Sequence, residues 1–110
     1  MKAVVENALI VIRKRLPMDS IITGDKKCYV CGAVRNLHCH HIFMGADRKV
    51  SEDNGFKVYL CGYHHNQSND GVHGNNGHEL DMWLKQEAQR RYEQTHSREE
   101  FIALIGMSFL

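Results

Sequence analysis

Two short segments of the chain have the same spacing of donor side chains: Cys28-Tyr29-Val30-Cys31 and Cys61-Gly62-Tyr63-His64. A two-residue spacer lets each segment turn tightly and place two donor side chains on one ion. Together the segments supply three thiolates and one imidazole, a standard donor set for tetrahedral structural zinc. A redox pair is one alternative, but such pairs open a helix after a strand, and no thioredoxin-like unit is visible. The spacing therefore predicts a zinc knuckle formed by Cys28, Cys31, Cys61 and His64.

Histidines lie between and after these two segments. The run Leu37-His38-Cys39-His40-His41-Ile42-Phe43 separates them, and His65 and His73 follow. Hydrolysis of a phosphodiester needs a Lewis acid, an activated water and groups that orient both. Three imidazoles can hold a metal ion with positions left open, and a further neutral imidazole can act as a general base near pH 7. This pattern favours a catalytic metal site over its alternatives, a second structural metal or a set of surface histidines.

Composition places the 110-residue chain among ordinary soluble globular domains, with 43% hydrophobic and 25% charged residues. The net charge of +1 does not by itself predict a nucleic-acid partner. No apolar run is as long as a membrane span, and the N-terminus lacks the features of a signal peptide. We therefore expect a cytoplasmic protein without a membrane partner, whose cysteines bind metal rather than form disulfides.

Hydrophobic periodicity and turn residues predict a simple order of elements. In chain order they are a helix over 3–16, strands over 37–43 and 56–60 joined by a polar loop over 44–55, a short helix within 62–69, and two C-terminal helices. Ser97 and Glu100 match a capping box for the last helix, which should end at Gly106. Cys39 is expected to pack against the core.

The strand carrying the histidines raises a geometric question. Adjacent residues on a regular strand point to opposite faces. His40 and His41 can therefore reach one phosphate only if the strand twists or ends there. In a regular strand, His38 and His40 share a face and are the alternative metal pair.

The segment 28–73 resembles the HNH nucleases, also called His-Me finger or ββα-metal nucleases. These enzymes combine paired histidines on a first strand with metal ligands on the following helix, and many carry flanking zinc-binding pairs. Over residues 28–106 the chain is similar to small phage and prophage members, including relatives of the recombination-enhancement (Ref-type) nucleases. The motifs that carry this similarity are His40-His41-Ile42-Phe43, Arg48, Leu60-Cys61, His64-His65, Gly71-Val72-His73 and the ending from Ser97 to Gly106.

The resemblance implies a zinc-stapled ββα-metal core. Together with the N- and C-terminal helices that periodicity predicts, this gives an α+β fold class. One domain would span 1–110, with an N-terminal helix and lead-in over 1–27, the nuclease core over 28–73 and C-terminal helices over 78–110. The implied activity is that of a metal-dependent DNA endonuclease or nickase in the cytoplasm of a bacterial host. DNA is then the main partner, with a recombination protein as a candidate helper.

The resemblance also assigns roles by position. His41 would be the general base, and Arg48 would clamp the phosphate backbone. Asn54 is the candidate for the middle asparagine of the motif, although the family places that residue just before the second strand, and Asn66 and Asn69 are rivals. The ligands of a catalytic Mg²⁺, Mn²⁺ or similar divalent ion would be His40, His65 and His73.

Two other functions compete with catalysis. A zinc-bound nucleic-acid-binding module needs only the knuckle and the short basic clusters. A phage structural or interaction protein needs neither DNA affinity nor a second metal.

Overall fold

The structure is a computed structural model that describes residues 19–110. The helix predicted over 3–16 lies outside the described residues. These residues form an α+β domain with one two-stranded sheet and several helices. In chain order the elements are β1 (Leu37–His41), a 3₁₀ turn (Gly45–Asp47), α1 (Arg48–Asn54), β2 (Lys57–Cys61), α2 (Gly62–His65), α3 (His78–Tyr92) and α4 (Arg98–Ile105). β1, β2 and α2 begin within one or two residues of their predicted starts. β1 and α2 end earlier than predicted.

The antiparallel register of β1 and β2 determines which histidines share a face. His40 lies opposite Val58, and His38 lies opposite Leu60. These four residues share one face, because directly paired residues on neighbouring strands point the same way. Val58 and Leu60 are buried, and His40 is only 2% exposed. The predicted strand is therefore regular, and His38 and His40 share a face as the alternation requires.

The opposite face of the hairpin carries Cys39, which pairs with Tyr59. Cys39 is exposed, so the expectation that it packs against the core is wrong. The alternation of the strand is the reason. His38 and His40, on either side of Cys39, point to the face on which His40 is buried, so Cys39 points to the opposite face.

The segment between the strands contains a helix that the sequence did not predict. The polar loop expected over 44–55 is instead a 3₁₀ turn followed by α1. The fully buried hydroxyl of Ser51 accepts a hydrogen bond from the N–H of Phe43 at 2.9 Å and donates to the carbonyl of Phe43 at 2.7 Å. Gly55 then ends the helix in the left-handed conformation, with φ 72°. Because α1 is held by a buried hydroxyl rather than an apolar stripe, hydrophobic periodicity did not reveal it.

Aromatic rings fill the core between the hairpin and the C-terminal helices. Phe56 packs against Phe43, Tyr92 and Phe101 with ring centroids 5.3–6.1 Å apart. The capping box of Ser97 and Glu100 is present at the start of α4, and Gly106 ends that helix with φ 108°. Both of these predictions are confirmed. No helix within residues 19–110 combines the length and apolarity needed to cross a membrane.

Candidate metal centres

The four residues predicted for the knuckle form one cluster. Cys61 is the last residue of β2 and His64 lies in α2, while Cys28 and Cys31 lie in the turn before β1. Their donor atoms all lie within 4.8 Å of one another. The Sγ atoms of Cys31 and Cys61 are 3.8 Å apart, and the edge of a tetrahedron built on Zn–S bonds of about 2.3 Å is about 3.8 Å long. The Cys₃His cluster could therefore bind a metal ion such as zinc.

The single imidazole of this cluster also lies at suitable distances. The Nδ1 atom of His64 is 3.3 Å from the Sγ atom of Cys61 and 3.7 Å from that of Cys28. Both distances are close to those expected between two ligands of one small ion. The nitrogen of His64 that faces the thiols is therefore Nδ1.

The environment of Cys28 favours the thiolate that a metal ion needs. Burial raises the pKa of Cys28, but backbone hydrogen bonds at Cys61, Cys31 and Val30 outweigh that effect and lower the pKa to about 6. Metal ions bind the deprotonated thiol, so Cys28 is suited to bind a cation. The N–H of Gly32 donates to the carbonyl of Cys28 at 2.8 Å and closes the turn.

A second cluster forms from His40 on β1, His65 on α2 and His73 in the loop after α2, with donor atoms within 4.8 Å of one another. Two backbone hydrogen bonds hold the loop against α2: the N–H of His73 donates to the carbonyl of His65 at 3.0 Å, and the N–H of Val72 donates to that of His64 at 2.9 Å. A Cβ atom at Gly71 would lie 2.6 Å from the carbonyl oxygen of His65, so this approach requires glycine. The three histidines assigned by resemblance to the catalytic metal therefore lie together.

Burial favours the neutral form of two of these three imidazoles. It lowers the pKa of His40 to about 3, with further lowering by the neighbouring His73 and His65. Burial, followed by His73 and His38, also lowers the pKa of His65. The buried Nε2 atom of His40 has no hydrogen-bond partner among the described residues. A buried polar atom without a partner is costly, and a metal ion on a neutral imidazole would satisfy it. The donor set therefore fits a divalent ion.

His38 lies beside the second cluster rather than in it. Its Nδ1 atom is 2.8 Å from the Nδ1 atom of His65, so one ring donates a hydrogen bond to the other. This bond leaves the Nε2 atom of His65 available for a metal ion. A partner on the second ring nitrogen is the usual way in which proteins orient a metal-binding histidine.

His41 lies on the other face of β1 and has different partners. Its Nε2 atom is 2.5 Å from the Oε1 atom of Glu52, and the ammonium of Lys57 donates to the Oε2 atom of Glu52 at 2.8 Å. Hydrogen bonds from Lys57 and then His41 hold the pKa of Glu52 below its usual value. Sequence reasoning missed Glu52 because it belongs to α1, where a loop was expected.

The remaining predicted residues lie apart from these groups. Arg48 is the exposed first residue of α1 and forms no ion pair with any described residue. The side-chain amide of Asn54 donates to the carbonyl of Val50 at 2.9 Å, within α1 itself. Among residues 19–110, the Asn54 side chain forms only this hydrogen bond, so it has no hydrogen bond to β1. Its rivals Asn66 and Asn69 are exposed in the loop after α2.

Comparisons with known proteins leave the family open. The chain matches no protein-family model, no curated protein and no solved structure. The function is therefore inferred from the two side-chain clusters and their surroundings.

Proposed function

We propose that this protein is a metal-dependent DNA endonuclease or nickase of the HNH type. The observation that carries the proposal is the cluster of His40, His65 and His73, which come from a β-hairpin, the helix directly after it and the loop that follows that helix. This order of two strands and one helix is the one that the resemblance implies. The Cys₃His cluster joins the turn before β1 to the end of β2, so a zinc ion there would hold the hairpin in shape.

The three imidazoles would hold a divalent ion. Imidazole donors suit a transition-metal ion, Mn²⁺ included, better than Mg²⁺, which prefers oxygen ligands. When bound, that ion would supply a Lewis acid for the phosphate and for the leaving oxygen. His41 takes the proton from the attacking water. Arg48, exposed at the start of α1, binds a neighbouring backbone phosphate, where a guanidinium gives strong bidentate contacts.

The opposite orientations of His40 and His41 limit where the proposed substrate can contact both side chains. Because the sheet of the described residues has only two strands, β2 pairs with one edge of β1 and no strand covers the other. A phosphate at this open edge can lie between the two faces, with His40 on one side and His41 on the other. The proposed scissile phosphate therefore approaches the edge of β1 near its last residue.

A zinc-bound nucleic-acid-binding module is the second candidate. The observation in its favour is that His41 is turned away from the three-histidine cluster and is hydrogen-bonded to Glu52. A binding module does not need His41 and the three-histidine cluster to face the same phosphate. The two functions differ in whether bound DNA is cut.

Supercoiled plasmid incubated with the purified chain separates these candidates. The chain is first freed of weakly bound metal and then supplied with Mg²⁺ or Mn²⁺. We expect nicked or linear product that depends on the added ion and is lost on chelation. Salt-dependent DNA binding without cleavage would favour the binding module, and the absence of both would favour a structural or interaction role.

A further inference from the structure

We propose that Glu52 is the positioning residue for His41 and that it directs the proton of the attacking water to the Nδ1 atom of His41. This inference rests on the proposed nuclease function and adds to it a residue outside the resemblance. Three observations carry it: the contact between Glu52 and His41, the second contact to Lys57, and the anchoring of α1.

The carboxylate of Glu52 is held at both oxygens. His41 and Lys57 are paired directly across the hairpin, and each contacts a different oxygen of Glu52. The side chains of His41 and Lys57 are only 11% and 15% exposed. This shielding separates the group from ordinary surface ion pairs, which water weakens. The imidazole therefore has one favoured orientation.

The helix that carries Glu52 is itself fixed to the end of the hairpin. Ser51, the residue before Glu52, forms two hydrogen bonds with the backbone of Phe43. Phe43 follows His41 by two residues, so Glu52 and His41 are attached to the same short stretch of backbone. Such double attachment limits the movement of a carboxylate relative to its histidine.

The chemistry follows from which ring nitrogen contacts the carboxylate. A neutral imidazole carries one N–H and one lone pair. Because a carboxylate accepts the N–H, the hydrogen lies on Nε2 and the lone pair on Nδ1. The O–H bond of water breaks as its proton moves to Nδ1, and that electron pair forms the new P–O bond. The P–O bond to the leaving oxygen breaks, and its electrons stay with that oxygen.

Glu52 has a second effect on this step. When Nδ1 takes the proton, His41 becomes an imidazolium, and the adjacent carboxylate stabilises the new charge. A carboxylate that orients a histidine and stabilises its charged form supplies a large rate factor in other hydrolases. Lys57 binds the same carboxylate and keeps it aimed at His41 when the ring is neutral.

The test compares Glu52→Gln and Glu52→Asp with Asp53→Asn in the zinc-loaded chain. Asp53 is the neighbouring acid of α1 and pairs with exposed Lys49, so Asp53→Asn is a matched control. We expect Glu52→Gln to lower kcat on the order of 10- to 10³-fold, with KM for DNA and second-ion affinity near wild type. Glu52→Asp should recover part of the rate, and Asp53→Asn should change neither constant.

A second measurement does not depend on cleavage. The ¹⁵N chemical shifts of the His41 ring should place the hydrogen on Nε2 in the wild type, and Glu52→Gln should abolish that preference. If the wild type cuts DNA and Glu52→Gln cuts it at an undiminished rate, the role of Glu52 is overturned but the proposed function is not. A wild-type chain that binds the second ion but never cuts DNA would overturn the proposed function and this role together. A hydrogen on Nδ1 in the wild type would overturn the proton assignment.

Discussion

His40 and His41 are neighbours in β1, yet their side chains leave the strand on opposite faces. His40 is buried beside His65 and His73, whereas His41 contacts Glu52. The two histidines should therefore respond differently to truncation. His41→Ala should reduce DNA cleavage on the order of 10²- to 10⁴-fold, while DNA affinity, zinc content and melting temperature stay near wild type.

His40→Ala provides the contrast to this variant. It should lose cleavage together with the second ion, because the ion cannot lose a ligand without binding more weakly. Metal titration and a plasmid assay on both variants make the comparison. If His41→Ala loses the ion and His40→Ala keeps it, the two roles are reversed, and normal cleavage by both variants would remove the nuclease interpretation.

The knuckle should be essential for folding. Cys28→Ser or Cys61→Ser removes one of four donors, and structural zinc contributes on the order of 10 kcal/mol in small domains. That is comparable to the whole stability of a domain this size. We expect loss of tightly bound zinc and of the cooperative melting transition, measured by metal analysis and circular dichroism.

Cys39→Ser is the matched control for the knuckle variants. Cys39 is exposed and lies outside both clusters, so its replacement should leave zinc content and melting temperature unchanged. A full complement of zinc in Cys28→Ser or Cys61→Ser would refute the four-residue site.

Binding of the second ion should depend on His73, whereas folding should not. His73 is exposed in the loop after α2, so His73→Ala should melt near the wild-type temperature and keep its zinc. Its affinity for the second ion, measured by titration, should fall by at least about 10-fold. His78→Ala, which removes an exposed histidine outside both clusters, is the control and should bind the ion normally. Unchanged affinity in His73→Ala would point to His38 as the third ligand.

The turn at Gly55 should be sensitive to any side chain. Gly55 has φ 72°, and a Cβ atom there would overlap the carbonyl oxygen of Asp19. The segment at Asp19 cannot move freely, because the N–H of Ile21 donates to the carbonyl of Gly55 at 3.0 Å. Gly55→Ala should therefore add a steric clash to the backbone strain of about 1–3 kcal/mol expected for a left-handed alanine.

Gly45 separates these two effects. It has φ 63°, and no atom of residues 19–110 beyond its chain neighbours lies within 4 Å of the position that a Cβ atom would take, so Gly45→Ala should incur the backbone strain alone. Chemical denaturation should show a larger loss of unfolding free energy for Gly55→Ala than for Gly45→Ala. Equal losses would mean that the contact with Asp19 relaxes without cost.

Local features of this protein were predictable from the sequence. The donor set of the knuckle follows from spacing, because two residues between donors impose a tight turn whatever surrounds it. The capping box at Ser97 and the helix end at Gly106 follow from hydrogen bonds and backbone angles within a few residues. The three histidines of the second cluster were assigned by resemblance rather than by spacing, and the structure brings them together.

Other features of this protein depend on strand register and on contacts between residues far apart in the chain. The pairing of β1 with β2 turned His40 toward the cluster and Cys39 toward solvent, and a shift of one residue would have exchanged their faces. The loop–α2 contact placed His73 beside His65, while His38 became the hydrogen-bond partner of His65. The buried hydroxyl of Ser51 anchored a helix without an apolar stripe and so brought Glu52 to His41. Such contacts between distant residues leave no periodic signal in the chain, whereas spacing, caps and turns do, because they act through neighbouring backbone.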